Sequence, residues 1–520
     1  MNLRKMRMMC ALSTVLIHAE PAGAVTRYVD DDSANPQSPY TNAAYAATTI
    51  QAAVDVSVSN DLILVSAGLY DTGSRAANGA NLKNRVLIDR PITVRGVDGR
   101  ESTIIRGQGP CGNKAIRCVY LGPNAMLVGF TLTNGHTRQY HTWNDEEESG
   151  GGIYCHPLSG AVVSNCVISG CESYQHGGGA YRGTFHDCII EGNRVLFNDG
   201  GGAAFVVLYD CIVRDNYGPD EGGGLYAASA YRCRIERNEC REGGGMFFAD
   251  ATDSIICNNV GGFGGGAGAY SSLRNCLLYG NSATYAGGGA CYAELHNCTV
   301  VSNSAVSGGG VYFGGLWGGA MTNCIVWANT GSTTTNANWD AGDGVIANSC
   351  TTPLPEGEGN ITNAPAFVDP LNGDYHLLPS SPCIDAGDNA EASTPTDLDG
   401  GPRIVFGAVD MGAYEYVADT NDYDGDGMTN DDEAVAGTDA TDPGSRLAVV
   451  EFTTTGGLRI VWVGGAQARQ FVETKSDLMS ITEPWMVIYT NEPPTSITNC
   501  LVLPVAPGAS RFCRVRAESP

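Results

Sequence analysis

The chain has 520 residues, of which 69 are glycine and 19 cysteine, and its 30 basic against 56 acidic residues leave a net charge of −26. A surface this acidic repels nucleic acid and anionic membrane, which excludes both as partners. It also weighs against tight binding of a polyanionic polysaccharide, unless Ca²⁺ bridges the two.

At the amino terminus Arg4, Lys5 and Arg7 precede an apolar run from Met8 to Ile17, and Ala22-Gly23-Ala24 offers small residues for cleavage. That is the pattern of a secretory signal peptide over residues 1–24, and its apolar run is too short to span a bilayer. No later segment reaches transmembrane length. The expectation is a secreted or cell-surface protein that does not span a membrane. Next come Tyr28-Val29-Asp30-Asp31-Asp32 and Thr49-Ile50-Gln51-Ala52-Ala53-Val54, which resemble the opening of many secreted chains in which a short helix caps the first coil. A cap is expected because an open end would expose sheet edges.

From residue 25 to about 350 the sequence is periodic. Gly-Gly-Gly triplets start at Gly150, Gly177, Gly200, Gly222, Gly243, Gly264, Gly287 and Gly308, in steps of 27, 23, 22, 21, 21, 23 and 21 residues. About a dozen residues after each triplet lies a strand-like motif: Cys166, Cys188, Cys211, Cys233, Ser254, Cys276, Cys298 and Cys324, each alternating with apolar residues. Five residues further stands Asn193, Asn216, Asn238, Asn259, Asn281, Asn303 or Asn329, with Cys171 alone breaking the column. A fixed period in this range denotes a stacked architecture. About 22 residues hold two or three short strands but not a helix pair, so each repeat is one coil of a parallel β-helix. Equivalent residues then stack at roughly 4.8 Å. Glycine suits corners that need positive φ, and Asn combines tolerance of left-handed turns with side-chain amides that bond from coil to coil. The Cys column reads as small core-filling thiols, because a straight ladder holds the Cβ atoms parallel and disfavours bridging. Cys111 with Cys118, and Cys500 with Cys513, are better disulfide candidates.

Chemistry is to be sought on the outside of the coils. The residue before each triplet forms a column containing His176, Asp199, Glu221 and Glu242, with Asp220 and Arg241 beside it. Carboxylates one coil apart would lie roughly 5 Å apart and two coils apart roughly 10 Å, which brackets the separations used in retaining and inverting glycoside hydrolysis. Like charges so close raise one pKa, as a general acid requires. The alternative is that turn residues are polar wherever they fall. An insertion between Phe130 and Cys166 carries Arg138, Tyr140, His141, Trp143 and Asp145 through Glu148. Long loops on rigid scaffolds carry function, and aromatics beside carboxylates suit sugar binding. Tyr154, Tyr181, Tyr226, Phe247 and Tyr312 either extend that platform or stack to stabilise the sheet.

Residues 351–417 read as a segment closing the β-helix. It contains Ser381-Pro382-Cys383-Ile384-Asp385-Ala386-Gly387, Asp397-Leu398-Asp399-Gly400 and Asp410-Met411-Gly412-Ala413-Tyr414-Glu415-Tyr416. With the triplet repeat and the opening motifs, these make residues 25–417 resemble right-handed parallel β-helix proteins of the pectate-lyase-like superfamily. The repeat is also similar to that of polymorphic outer-membrane autotransporter adhesins. The resemblance implies fold more than activity, since the superfamily hosts lyases, hydrolases and adhesins.

Residues 418–444 read as a calcium loop and linker. Asp422, Asp424, Asp426 and Glu433 take positions one, three, five and twelve, Gly427 position six, Met428 the carbonyl position and Asn430 position nine. A short helix from Asn430 to Ala436 would bring Glu433 back to the ion. With Gly437-Thr438-Asp439 the loop resembles thrombospondin type 3 and dockerin repeats of exported bacterial proteins, although a dockerin needs two copies. Residues 445–520 alternate as strands of a small β-sandwich, clearest at Leu458–Trp462 and Arg511–Val515. Two functions follow: a monomeric surface protein that binds polysaccharide or cell-surface glycan or mediates adhesion, or a polysaccharide lyase or glycoside hydrolase with its site on the acidic edge.

Overall fold

Alternation of small apolar residues with polar ones every 22 residues buries one face of each short strand, and only stacking can complete that burial. In the computed structural model the described residues are 23–520, apart from 140–143, 159, 269, 314–318, 333–336, 341, 343, 419, 421–427, 437, 439–444, 454–457, 465–467, 476–484, 494–495, 497, 504–511 and 519–520. The chain is an all-β parallel β-helix and divides into two compact units, residues 1–174 with 179–189, and residues 175–178 with 190–520. The signal-peptide reading rests on residues 1–22, outside the described residues. No described helix is long and apolar enough to cross a membrane.

In the first unit a ladder of parallel strands runs from Thr26–Val29 through Leu62–Val65, Thr93–Gly96, Met126–Val128 and Val162–Ser164 to Thr184–His186. The expected helix is present at Ile50–Asp55, where Thr49 Oγ1 accepts the Ala52 N–H at 3.3 Å. In the second unit, strands from Val207–Tyr209 to Val345–Ala347 form one ladder and strands from Ile212–Arg214 to Cys350–Thr351 another. A third is built from two-residue strands such as Ala203–Ala204, Leu225–Tyr226 and Met246–Phe247.

The Asn column is a buried straight row. Each backbone N–H donates to the Oδ1 of the next Asn, from Asn193 to Asn216 at 2.9 Å down to Asn329 with Asn338 at 3.0 Å. One part of the expectation is corrected. The left-handed residue is the one before each Asn (Asp215, Arg237, Asn258, Ser302 and Ala328, φ between 52° and 56°), not the Asn itself. That corner turns the Asn side chain inward, where only an amide satisfies both neighbouring coils. The Cys column is buried and its thiols donate to carbonyls, as Cys276 does to Arg274 O at 3.2 Å. No disulfide is formed among the described residues, and neither candidate pair is brought together. Cys111 donates to Glu172 O and Cys118 to Thr133 O, while Cys500 and Cys513 stand on strands of different sheets.

The segment after residue 351 is a belt along the outside of the last coils. Ile255, Leu277, Thr299, Ile325 and Cys350 share one outward row. Tyr375, Ala413 and Tyr414 pack on Leu277 and Val301, and Leu377, Cys383 and Met411 pack on Ile325 and Cys350. The acidic residues of its motifs hold its own backbone: Asp410 accepts the N–H groups of Asp385 and Tyr416, each at 2.7 Å. Buried Arg403 donates to Gly412 O at 2.5 Å and faces Glu415 at 3.5 Å. Beyond it, two three-stranded antiparallel sheets pack around Ile460, Trp462 and Val472.

Candidate functional site

The first glycine of each triplet fixes the edge. Gly222 has φ 65°, and a Cβ there would lie 2.2 Å from Leu225 O, so no other residue makes this corner without strain. The corner repeats in register, and the glycine N–H of one coil donates to the column residue of the next: Gly177 to Asp199 O at 3.1 Å, Gly200 to Glu221 O and Gly222 to Glu242 O, each at 2.9 Å. His176, Asp199, Glu221 and Glu242 are thereby brought together in one line within the second unit.

The line is electrostatically loaded. His176 Nδ1 stands 3.5 Å from Asp199 Oδ2. Burial, reinforced by the charges of Glu221 and Asp220, pushes the Asp199 carboxyl up to about 7. Glu221 is also raised, first by burial and then by Asp220 and Glu242. Arg241 Nη2 reaches Asp220 at 2.6 Å and Glu242 at 3.3 Å, so one guanidinium serves two carboxylates. A carboxyl half-protonated near neutrality, beside an imidazole and ionised neighbours, can donate a proton that its neighbours then help to return.

Rings flank the line. His176, Phe205 and Tyr226 form a cluster with centroids 5.7–6.2 Å apart. Phe248 continues it, 6.1 Å from Tyr226 and stacked on Tyr270 at 4.6 Å. Phe205, Phe248 and Tyr270 are 39%, 43% and 48% exposed. Of the aromatic column open to either role, Tyr226 joins this cluster while others serve the sheet. Tyr154, Tyr181 and Phe247 are buried, and Tyr154 stacks on Tyr181 at 5.5 Å, so these serve the sheet. The missed rings stand five or six residues after each triplet begins, at corners with φ of 50–59°. Bulky residues are rare there, and that oddity, aligned over the repeat, was the available signal. Two open hollows adjoin the line. One, about 290 Å³, is lined by Tyr217, Arg241, Val260 and Thr284 among others; the other, about 200 Å³, by Glu242, Phe247, Phe263 and Tyr292.

Arg138 belongs to the first unit, where its Nε lies 3.2 Å from Glu147 Oε2 and its N–H donates to Glu147 O. Tyr140, His141 and Trp143 lie outside the described residues. So do Asp422, Asp424 and Asp426. The helix expected beside them runs from Asn430 to Ala436, and Glu433 on it is fully buried with the Thr438 hydroxyl 3.4 Å from Oε1. Met428 Sδ accepts the Leu447 N–H at 3.3 Å. Among the described residues no cluster of three His, Cys, Asp or Glu forms a metal site.

Residues 151–352 match the family described as the right handed beta helix region. No curated protein matches the chain. Among solved structures the chain is similar to pectate lyase Pel9A, with TM-score 0.43 and 15% identity over 76% of this chain and 98% of that one. A rhamnogalacturonan lyase gives TM-score 0.41 and 13% identity over 74% and 96%. The catalytic unit of a GH87 α-1,3-glucanase from Streptomyces thermodiastaticus strain HF3-3 gives 0.32 and 13% over 66% and 69%. These likenesses concern the fold: a right-handed parallel β-helix.

Proposed function

We propose that this protein is exported and binds a polysaccharide along the His176–Glu242 edge. One observation carries the reading: a buried carboxyl, Asp199, lies against an imidazole and a second acid, beneath a run of exposed rings. Rings cover the apolar faces of pyranoses, while acids and the imidazole take up hydroxyl hydrogen bonds. The net charge of −26 favours an uncharged polymer over a uronate. Calcium belongs to the proposal as a structural ion. The carboxylates of Asp422, Asp424, Asp426 and Glu433, with the Met428 carbonyl and Asn430, form a donor set suited to it, and the buried Glu433 carboxylate is consistent with a nearby cation.

The position of Asp199 favours cleavage as a second reading. A carboxyl raised to about 7 holds a proton that it can pass to a glycosidic oxygen, leaving Glu221 or Glu242 to act on the sugar carbon or on water. Lyase chemistry fits less well, because Arg241, the cation that would neutralise a uronate, is already occupied by Asp220 and Glu242.

A glycan array paired with a reducing-end assay tests both readings. Phe248→Ala should weaken glycan capture about five- to tenfold, the loss of one ring contact of about 1–1.5 kcal/mol. Asp199→Asn should abolish release of reducing ends and leave capture measurable. Capture unchanged in Phe248→Ala refutes the binding edge, and cleavage unchanged in Asp199→Asn refutes the catalytic reading.

A further inference from the structure

The outward row beneath the belt ends at Cys350, and Cys383 of the belt lies against it. Both thiols are fully buried in one cluster with Ile325, Leu377 and Met411, and they contact each other side chain to side chain. Cys350 sits on the strand Cys350–Thr351, held in register with Ile325–Trp327. Cys383 sits in irregular belt structure, its N–H bonded to Ser381 Oγ at 3.2 Å. Among the other touching thiols, Cys211 with Cys233 and Cys276 with Cys298 stand immediately before neighbouring strands of a single ladder. That register holds their Cβ atoms parallel, against the near-perpendicular torsion of a disulfide. Cys350 and Cys383 come from different elements, and no ladder fixes the relative direction of their Cβ atoms.

We infer that Cys350 and Cys383 are the site of a disulfide that fastens the belt to the last coil, formed by exchange with a protein or small-molecule disulfide. One thiolate attacks the oxidant's disulfide and expels a thiolate, giving a mixed disulfide. The second thiolate attacks the chain's sulfur in that bond and releases the remaining half of the oxidant as a thiolate, so the oxidant leaves as two thiols. The chain loses two hydrogens, and the oxidant gains the two protons and two electrons. Because both thiols are buried, exchange precedes docking of the belt or follows its transient opening. The bond closes a loop of 33 residues and so restricts the unfolded belt.

The test uses the full chain, refolded in a mixture of oxidised and reduced glutathione, then denatured, alkylated and weighed. The expected product carries two fewer alkyl groups than the phosphine-reduced chain, and a non-reducing digest links the Cys350 peptide to the Cys383 peptide. Limited proteolysis within residues 351–417 should be slowed at least about tenfold by oxidation in wild type and not at all in Cys350→Ser or Cys383→Ser. The reduced wild type supplies the same comparison if either variant fails to fold. Full alkylation of a refolded chain whose belt resists protease would overturn the inference, as would a bridge from Cys383 to any other cysteine.

Discussion

Replacing Asn238 by Leu interrupts the amide row at its centre, and the consequences can be counted. Asn238 Oδ1 accepts from Asn216 N at 3.1 Å and from Asn216 Nδ2 at 3.0 Å, while its own Nδ2 donates to Val213 O and to Asn259 Oδ1, each at 3.0 Å. Leucine leaves the Asn216 backbone N–H without an acceptor in a fully buried site. The Asn216 amide keeps its bond to Ile190 O, and Asn259 Oδ1 keeps the Asn238 N–H, so one main-chain donor dominates the loss. An orphaned buried donor costs about 1–3 kcal/mol. Leucine also branches where Gly224 approaches the Asn238 amide so closely that a Cβ on the glycine would lie 2.9 Å from Nδ2, so crowding adds to the loss. Urea denaturation, fitted with m left free, should register a fall within that range or above it. Asn238→Asp keeps the acceptor for Asn216 but sets a carboxylate oxygen against Val213 O and Asn259 Oδ1 in a fully buried site, so at neutral pH it should lose at least as much as the leucine variant. A loss below about 0.5 kcal/mol for Asn238→Leu refutes the role assigned to the row.

Three further outcomes are expected. His376 is held between Asp399 at 2.7 Å and Asp374 at 2.6 Å, which raises it to about 9. Its contribution to stability is therefore complete below about 6.5, the unfolded value, and lost as pH rises through 9, so the Tm gap between wild type and His376→Gln should close between those limits. Calorimetry should detect calcium-dependent heat in wild type that chelator removes and Glu433→Gln reduces; no heat in wild type rejects the calcium loop. Salt should weaken the coil-to-coil pairs Arg232–Asp210 and Arg237–Asp215, each at 2.8 Å and half exposed, so Arg232→Gln should cost less than about 1 kcal/mol and less again in 1 M salt.

What could be read from the residues is what repeats. The triplets, the Cys column and the Asn column obey one period, and a coil is the one arrangement that buries all three. The helix after Thr49 was legible through the resemblance of that segment to the openings of other β-helix chains, and the Thr49 side chain caps it as such a segment requires. The corner before each Asn was missed because Asp215, Arg237, Ser302 and Ala328 share no side-chain property, only a backbone angle. The path of the belt was missed for a different reason: it follows a change in the outward row, from Arg234 to Leu277, Ile325 and Cys350, that breaks the repeat without altering its period. The exposed rings at Phe205, Phe248 and Tyr270 were not read from the sequence, since pattern alone does not tell which of two neighbouring aromatic positions faces outward at a left-handed corner.

Two sets of buried acids in the second unit are raised alike by burial: Asp410 and Glu415 in the belt, the latter to about 8, and Asp199 at the edge, to about 7. They differ in their partners. In the belt, Asp410 receives two backbone N–H groups, Asp397 receives those of Gly401 and Glu415, and Arg403 lies among them with its head group buried. Removing that guanidinium leaves carboxylates facing one another in the core, so Arg403→Met should cost about 3–5 kcal/mol, as breaking a buried ion pair does. At the edge, Asp199 faces Glu221 and Asp220, with His176 at 3.5 Å as its close cationic neighbour when protonated. A carboxyl whose folded value, about 7, lies above its unfolded value of 3.8 supports folding while protonated and opposes it once ionised. Asp199→Asn should therefore stabilise the protein at pH 8 by on the order of 1 kcal/mol, after discounting for screening, and by nothing near pH 3. Because Glu415 in the belt is raised as far, what distinguishes Asp199 is its place against His176 and the neighbouring rings rather than its titration alone. Equal losses from Arg403→Met and Asp199→Asn at pH 8 would place both acids in the scaffold and end the case for the edge.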